Sequence, residues 1–448
     1  MAFRDKFKLA AIEPGAVADA PTSSHAYKLL MSRLHMKLLE RCDLASLEIL
    51  VPDALQVEIN NMVDRLLQEE KAVVNEAERS SIKRDIQHEM FGLGPLEILM
   101  ADPTVSDILV NRFDKIYVER KGILEETKVS FSNEAHLLRI LDKIVSMVGR
   151  RIDESSPMVD ARLPDGSRVN AVIAPIALDG ATVSIRRFAR IALNMHDLVG
   201  TMKSLTPAMA SVIEGLCKAK VNILISGGTG AGKTTLLNIL SGYIPAAERL
   251  VTIEDVAELQ LQQPHVVRLE TRPMNSEGKG EITQRALVIN ALRMRPDRII
   301  IGEVRGAEAA DMLQAMNTGH EGSLTTVHAN TPRDALARLE NMVGMANLNL
   351  PHQALRQQIA SAITVVIQVL RLSDGKRKVT SIQEITGMNG DMIAMQEIFA
   401  YRQTGVGEDG AILGHFYATG VRPQFCEKLQ LFGIPCPPSM FNPGQHYR

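Results

Sequence analysis

The chain of 448 residues has no tryptophan, and aromatic residues make up only 4% of it. So few aromatic faces disfavour a base-stacking platform for single-stranded nucleic acid. Cysteine is also sparse. Cys42, Cys217, Cys426 and Cys436 are scattered, the last two do not make a C-x2-C zinc pattern, and a chain of this size does not depend on a disulfide framework. A reducing compartment is the expectation. Neither charge sign dominates, with 50 Lys and Arg against 52 Asp and Glu and a formal net charge of −2, which argues against a nucleic-acid coat protein. Long apolar runs are missing too. The best candidate, Ile359 to Leu370, contains Ser361, Thr364 and Gln368. As a helix it would reach about 18 Å, short of a ~30 Å bilayer core. Near the N-terminus, Arg4, Asp5, Lys6 and Lys8 precede an apolar run of only Leu9 to Ile12, too short for a signal peptide. The expectation is a cytoplasmic protein without a transmembrane span.

What is present suffices for several cores: 45% of residues are hydrophobic and 23% charged. Residues 1–25, rich in Ala, Pro and Ser without apolar periodicity, read as a flexible tail. Over 26–90, Tyr27, Leu30, Leu34 and Leu38, then Leu55, Ile59, Met62 and Leu66, then Ile82, Ile86 and Met90 recur at helical spacing and predict a small helical bundle. After Phe91-Gly92-Leu93-Gly94-Pro95, short β-type runs flank a helix at Leu137 to Met147. Pro164-Asp165-Gly166 marks a hairpin turn, so 91–200 reads as an α+β domain. From 201 to 448, apolar strands alternate with helical segments, the pattern of a parallel sheet, and a C-terminal helical region is expected to close the chain. Strands at Val221 to Ser226, Arg249 to Ile253, Arg298 to Ile301 and Ser323 to Val327 each end in polar residues. Ligands of open α/β sheets sit at carboxyl strand ends, so these four ends belong to one site.

Gly227-Gly228-Thr229-Gly230-Ala231-Gly232-Lys233-Thr234 fits G-x-x-x-x-G-K-[ST] at every defined position, with Thr235 leading into a helix. Glycines let backbone N–H groups converge on phosphate oxygens, and the helix N-terminus adds positive potential. Lys233 is placed for β- and γ-phosphates and Thr234 for Mg²⁺, which makes ATP the expected ligand. Glu303 ends the β-branched run after Arg298 in a Walker-B-like position, suited to an attacking or magnesium-bound water. The plainer reading is a surface glutamate paired with Arg305. Glu254, Asp255 and Glu258 form a second acidic cluster at a neighbouring strand end. His320 and His328 flank one short strand, where they are candidates to sense a γ-phosphate by hydrogen bonding.

Together these motifs resemble the secretion ATPase superfamily that powers type II and type IV secretion and type IV pili. The Walker A loop, an Asp box (Thr252 to Leu259, with Val256 where Pro is usual), the Walker B segment Gly302-Glu303-Val304-Arg305-Gly306 and a His box (Thr318 to His328) carry the likeness. Further segments, among them Phe91 to Glu97, Leu163 to Asn170 and Ser184 to Phe188, resemble CpaF/TadA, the motor branch of the tight-adherence (Tad) pilus. The resemblance implies an α/β fold, with a RecA-like P-loop ATPase domain behind an α+β domain and a helical bundle. It implies a homo-hexamer with ATP and Mg²⁺ between the α+β and P-loop domains. Arg168 and Arg186, with Arg187 beside them, would reach the γ-phosphate, and Glu303 would be the general base. Glu254 and Glu258 would organise metal and water, while His320 and His328 would couple nucleotide state to domain movement. The implied partners are inner-membrane platform proteins, approached from the cytoplasmic face, with no nucleic acid. Rival readings are a sister motor for conjugative DNA transfer or effector export, a RecA-like nucleic-acid translocase, and an adaptor that binds ATP without turnover.

Overall fold

Helical and strand periodicities alternate along the chain, and the computed structural model shows how they are assembled. It describes residues 30, 31, 33, 34, 37, 38, 41, 52–72, 74–120, 122–187, 193–272, 274, 279–346, 350–443 and 446–447. The expected tail over 1–25 lies outside the described residues. The chain divides into two compact units, with the divide between residues 190 and 191.

In the first unit, α1 (Pro52–Glu69) and α2 (Glu76–Phe91) bury Ile59, Val63, Leu66, Ile82 and Ile86 with Leu34 and Leu38. Asn75 starts α2 through a capping box. Its side chain accepts from the Glu78 N–H at 2.8 Å, and the Glu78 carboxylate accepts from the Asn75 N–H at 2.8 Å. A short α3 (Leu96–Ala101) leads into β1 (Val105–Arg112), β2 (Lys115–Arg120) and β3 (Ile123–Glu126). Next come α4 (Glu134–Met147), β4 (Met158–Arg162), β5 (Arg168–Val172) and β6 (Thr182–Arg186). The strands form an antiparallel sheet in the order β3-β2-β1-β6-β5-β4. Period-two alternation sends Val159, Ala161, Val169, Ala171, Val183 and Ile185 into a core with Leu137, Leu141 and Ile144 of α4. The polar residues between them fall on the other face.

The second unit begins with α5 (Met195–Val199) and α6 (Pro207–Lys218), then β7 (Ile223–Gly227), α7 (Lys233–Ser241), β8 (Leu250–Glu254), β9 (Val266–Glu270) and α8 (Gln284–Ala291). It continues through β10 (Arg298–Ile301), α9 (Glu308–Asn317), β11 (Leu324–His328), α10 (Pro332–Gly344) and α11 (His352–Ala362). The last elements are β12 (Val365–Arg371), β13 (Arg377–Asn389), β14 (Met392–Val406), β15 (Ile412–Ala418), α12 (Phe425–Leu431) and β16 (His446–Tyr447). One sheet runs β16-β15-β14-β13-β12-β7-β11-β10-β8-β9, parallel from β12 to β9 and antiparallel from β12 to β16. The parallel strands β7, β8, β10, β11 and β12 are buried on both faces, as their near-continuous apolar sequences require, whereas β9 at the edge is partly exposed. Ile223 and Ile225 pack into one core with Leu236 and Leu240, and Leu224 into the other with Met312 and Leu336. This is the α/β class with a RecA-like P-loop domain that the sequence led us to expect.

Two expectations fail here. The C-terminal region is mainly strand, not helix, because β-branched and alternating residues in Val365–Arg371 and Arg377–Asn389 favour the pleated sheet over a helix. Cys426 and Cys436 are joined as a disulfide, their Cα atoms 5.8 Å apart because the chain turns after the end of α12. Cys217 is a buried free thiol whose pKa burial pushes up to about 12. Among the described residues, no helix is long and apolar enough to cross a membrane.

The amino end of the parallel sheet is closed by paired polar groups. Arg298, 0% exposed, donates to Glu248 at 2.5 and 3.1 Å and to the Cys217 carbonyl at 2.6 Å. Asn222 accepts from the N–H groups of Gly322 (2.8 Å) and Ser323 (3.0 Å) and donates to the Ala362 carbonyl at 2.7 Å.

Candidate active site

The glycine-rich loop joins the carboxyl end of β7 to the N-terminus of α7, so its backbone amides and the helix dipole face the same space. Close approach dictates two of its residues. A Cβ on Gly227 would lie 2.5 Å from the Val369 carbonyl oxygen, and Gly232 sits at φ +97°, a left-handed conformation that favours glycine. The buried Lys233 ammonium donates to the carbonyls of Gly227 (3.0 Å) and Gly228 (3.1 Å). Burial lowers its pKa while the Glu303 charge opposes that shift. Thr234 and Thr235 follow in the first turn of α7, both half-buried.

Parallel register brings the other strand ends alongside. His328 stands opposite Gly227 on β11, and Glu303 lies two residues past the end of β10. The Glu303 backbone is fixed by neighbours: its carbonyl accepts from Gln284 Nε2 at 2.9 Å, and the Gly302 carbonyl accepts from Thr326 Oγ1 at 2.7 Å. Its carboxylate pairs with Arg305 at 2.8 Å, and Arg305 reaches Asp255 at 3.2 Å on the β8 side. The sequence offered catalytic base or arginine partner as alternatives for Glu303, and the structure shows the pairing with Arg305 at the strand-end site. His328 titrates below the usual histidine range, first because of burial and then because Lys233 is near, with Glu303 opposing.

Glu254, 3% exposed, closes the adjacent loop: its Oε2 accepts from the N–H groups of Glu258 (2.8 Å) and Leu259 (2.9 Å). Its Oε1 is buried without a hydrogen-bond partner, and burial raises its pKa against those two bonds. Glu258 itself is half-buried. These oxygens suit Mg²⁺, a hard cation that keeps several waters and takes one or two protein ligands beside phosphate. The Thr234 hydroxyl and the orphan Glu254 oxygen are ligands of the kind such an ion takes.

His320 departs from expectation. It precedes β11, whereas His328 ends it, and Leu324 to His328 alone spans about 13 Å at the ~3.3 Å rise of a parallel strand. His320 therefore lies at the amino end, where Ser323 Oγ donates to its carbonyl at 2.8 Å and its Nδ1 is buried without a partner. The structure does not bring the two histidines together.

In the first unit, Arg162, Arg168 and Arg186 stand opposite one another across β4, β5 and β6, and Arg186 also faces Asp107, bonding it at 3.2 Å. Arg187 donates to the backbone carbonyls of Asp102 and Val105. Arg162 was not singled out from the sequence; the hairpin at Pro164-Asp165-Gly166 implies its pairing with Arg168. Missed entirely were Arg371 and Arg377, which lean on the glycine loop from β12 and β13.

Residues 89–409 match the family described as type II/IV secretion system protein. A putative conjugal transfer protein of Mycobacterium tuberculosis is 38% identical over 336 residues, 74% of this chain and 94% of that protein. The conjugal transfer protein TrbB of Rhizobium radiobacter is 33% identical across 65% of this chain and 86% of its own length. The type IV secretion system protein VirB11 of Brucella suis is 30% identical across 62% of this chain and 84% of its own.

Proposed function

The chain belongs to the type II/IV secretion system protein family, and on that premise we propose that it is a hexameric ATP-hydrolysing motor for a Tad- or type IV-like pilus, working through inner-membrane platform proteins. One observation carries the ATPase reading: a complete glycine loop, its lysine, a strand-end carboxylate and a strand-end histidine share the carboxyl edge of one parallel sheet.

Lys233 exchanges its two loop carbonyls for phosphate oxygens, a charge-assisted pairing in a partly dry site. Thr234 and Glu254 would hold Mg²⁺, which would neutralise phosphate charge when bound. Glu303 orients and deprotonates the attacking water. One of its oxygens is engaged by Arg305, so the water takes the other or follows withdrawal of the guanidinium. His328, neutral at pH 7, accepts or donates one hydrogen bond at the terminal phosphate. Arg168 and Arg186 complete the phosphate site in the assembled protein. Arg168 and Arg186 stand directly opposite each other on β5 and β6, so both guanidinium groups are offered from one edge of the sheet. Hydrolysis then removes the terminal phosphate and the contacts that depend on it, and the bound arrangement relaxes into movement.

A second reading has a specific observation behind it: the relatives matched across 74% and 65% of the chain carry conjugal-transfer names. The same chemistry would then drive conjugative DNA transfer or effector export.

The test is steady-state ATPase rate against protein concentration, with mass by light scattering, for wild type, Glu303→Gln and Arg168→Ala/Arg186→Ala. The specific rate should rise as hexamers form and vanish in Glu303→Gln while ATP still binds. A monomer as fast as the assembly overturns the shared-site motor. For cargo, loss of surface pili in a deletion strain supports the pilus reading, and loss of mating with pili intact supports the conjugative one.

A further inference from the structure

Beyond the motif residues, two arginines press on the glycine loop from the other side. Arg371 ends β12 and Arg377 begins β13, and the two are directly opposed in register. Arg377 Nε donates to the Gly230 carbonyl at 2.9 Å, and its Cδ would lie 3.3 Å from a Cβ at Gly232. Arg371 Nη1 would lie 3.3 Å from a Cβ at Gly230. The hairpin that carries them is pinned. Leu372 N–H donates to the Lys376 carbonyl at 2.7 Å, and Asp374 accepts from Ile412 N–H at 3.0 Å, fastening the turn to the start of β15. Two guanidinium groups therefore converge on the loop crest, on a rigid support.

Their side of the loop is informative. β7 lies between β11 and β12. Glu303 and His328 belong to the β10–β11 side, where hydrolysis takes place in the reading above. Arg371 and Arg377 belong to the β12 side, away from those groups. A nucleotide whose terminal phosphates point toward Glu303 must extend its α-phosphate, ribose and base away from it. We propose that Arg371 and Arg377 bind the nucleoside end of the bound nucleotide, one guanidinium on the α-phosphate and the other against the face of the base. Arginine suits both tasks, since its planar fork pairs with phosphate oxygens and stacks on rings. The inference rests on the glycine loop being the nucleotide site, and it makes the pair a determinant of nucleotide affinity with no part in cleavage.

The experiment measures binding to the full chain by calorimetry, with ATP, ADP and inorganic pyrophosphate as probes in the presence of Mg²⁺. Arg371→Gln/Arg377→Gln should weaken ADP and ATP alike, by roughly 10- to 100-fold, because charge-assisted hydrogen bonds are the strong ones. Pyrophosphate, which lacks the nucleoside end, should keep its affinity within about twofold. Arg377→Lys should fall between, keeping charge but losing the fork. Unchanged ADP affinity in the double variant overturns the proposal, and so does an equal loss for pyrophosphate, which would mean that the pair only shapes the loop. Lys233→Ala separates the premise from the inference. It should abolish binding of all three probes, and if it does not, the loop is not the site and the earlier reading falls first.

Discussion

The two ends of the parallel sheet are built from similar residue types and arranged to opposite effect. At the amino end, Arg298 is fully buried and its contacts are internal: a bidentate pair with Glu248 and two backbone carbonyls. At the carboxyl end, the Glu303 charge acts on Lys233, Arg305 and His328, yet Arg305 is shared between two carboxylates and Glu303 is only part-buried. Charges at one end are closed into the fold. At the other they are left able to exchange partners, which is what a site that binds and releases phosphate needs. Substitutions at the carboxyl end should therefore cost activity and spare stability, and those at the amino end should do the reverse.

The largest effect belongs to Glu303. Glu303→Gln keeps size and removes the proton acceptor, so turnover should fall roughly 10²- to 10⁴-fold, the range of general-base contributions. The melting temperature should stay within a degree or two, because the backbone bonds of Gln284 and Thr326 remain. A large drop in melting temperature would show that the Arg305 pair is structural and break the contrast at its strongest point.

Arg298→Ala comes next and has the opposite signature. Removing one partner of a buried pair leaves Glu248 only the longer Lys220 contact at 3.6 Å and should destabilise the second unit by about 3–5 kcal/mol, whereas Arg298→Met with Glu248→Leu should recover most of that loss. Urea melts of the three proteins decide it. If the single substitution is tolerated, the amino end is less closed than its contacts imply. Asn222→Ala should cost less, about 1–3 kcal/mol, for N–H groups of Gly322 and Ser323 left unpaired under the sheet. Its ATP affinity per folded molecule should not change.

Legibility in the sequence follows the same divide. The carboxyl end was readable because glycine spacing, a lysine and strand-end carboxylates are dictated locally by the chemistry of a phosphate site. The Pro164-Asp165-Gly166 turn was readable for the same kind of reason, since Gly166 adopts φ +90° between β4 and β5. What failed was long-range. Arg377 contacts Gly230 from 147 residues away, and only the insertion of β12 beside β7 brings it there. His320 and His328 are close in sequence, but a strand between them carries them to opposite ends. The C-terminal meander was missed because long strands such as Met392–Val406 carry few fully buried residues, leaving a weak period-two signal.

The smallest prediction concerns His328, where the two ends can be told apart by protons alone. Its folded pKa is held below the ordinary value by burial and by Lys233, so it is neutral at pH 7. Between that lowered value and about 6.5 the unfolded chain binds the proton that the folded chain refuses, so this residue makes stability rise with pH across the window and contributes nothing above it. Phosphate arriving beside the ring favours the charged form and moves its pKa up. ATP binding near pH 6 should therefore take up a fraction of a proton, visible as a difference in calorimetric heat between buffers of unequal ionisation enthalpy. His328→Asn should lose that uptake, whereas His320→Asn, at the other end of β11, should keep it. Equal losses in both variants would mean that the two histidines act together after all, and that the separation of closed and exchangeable charge does not hold along β11.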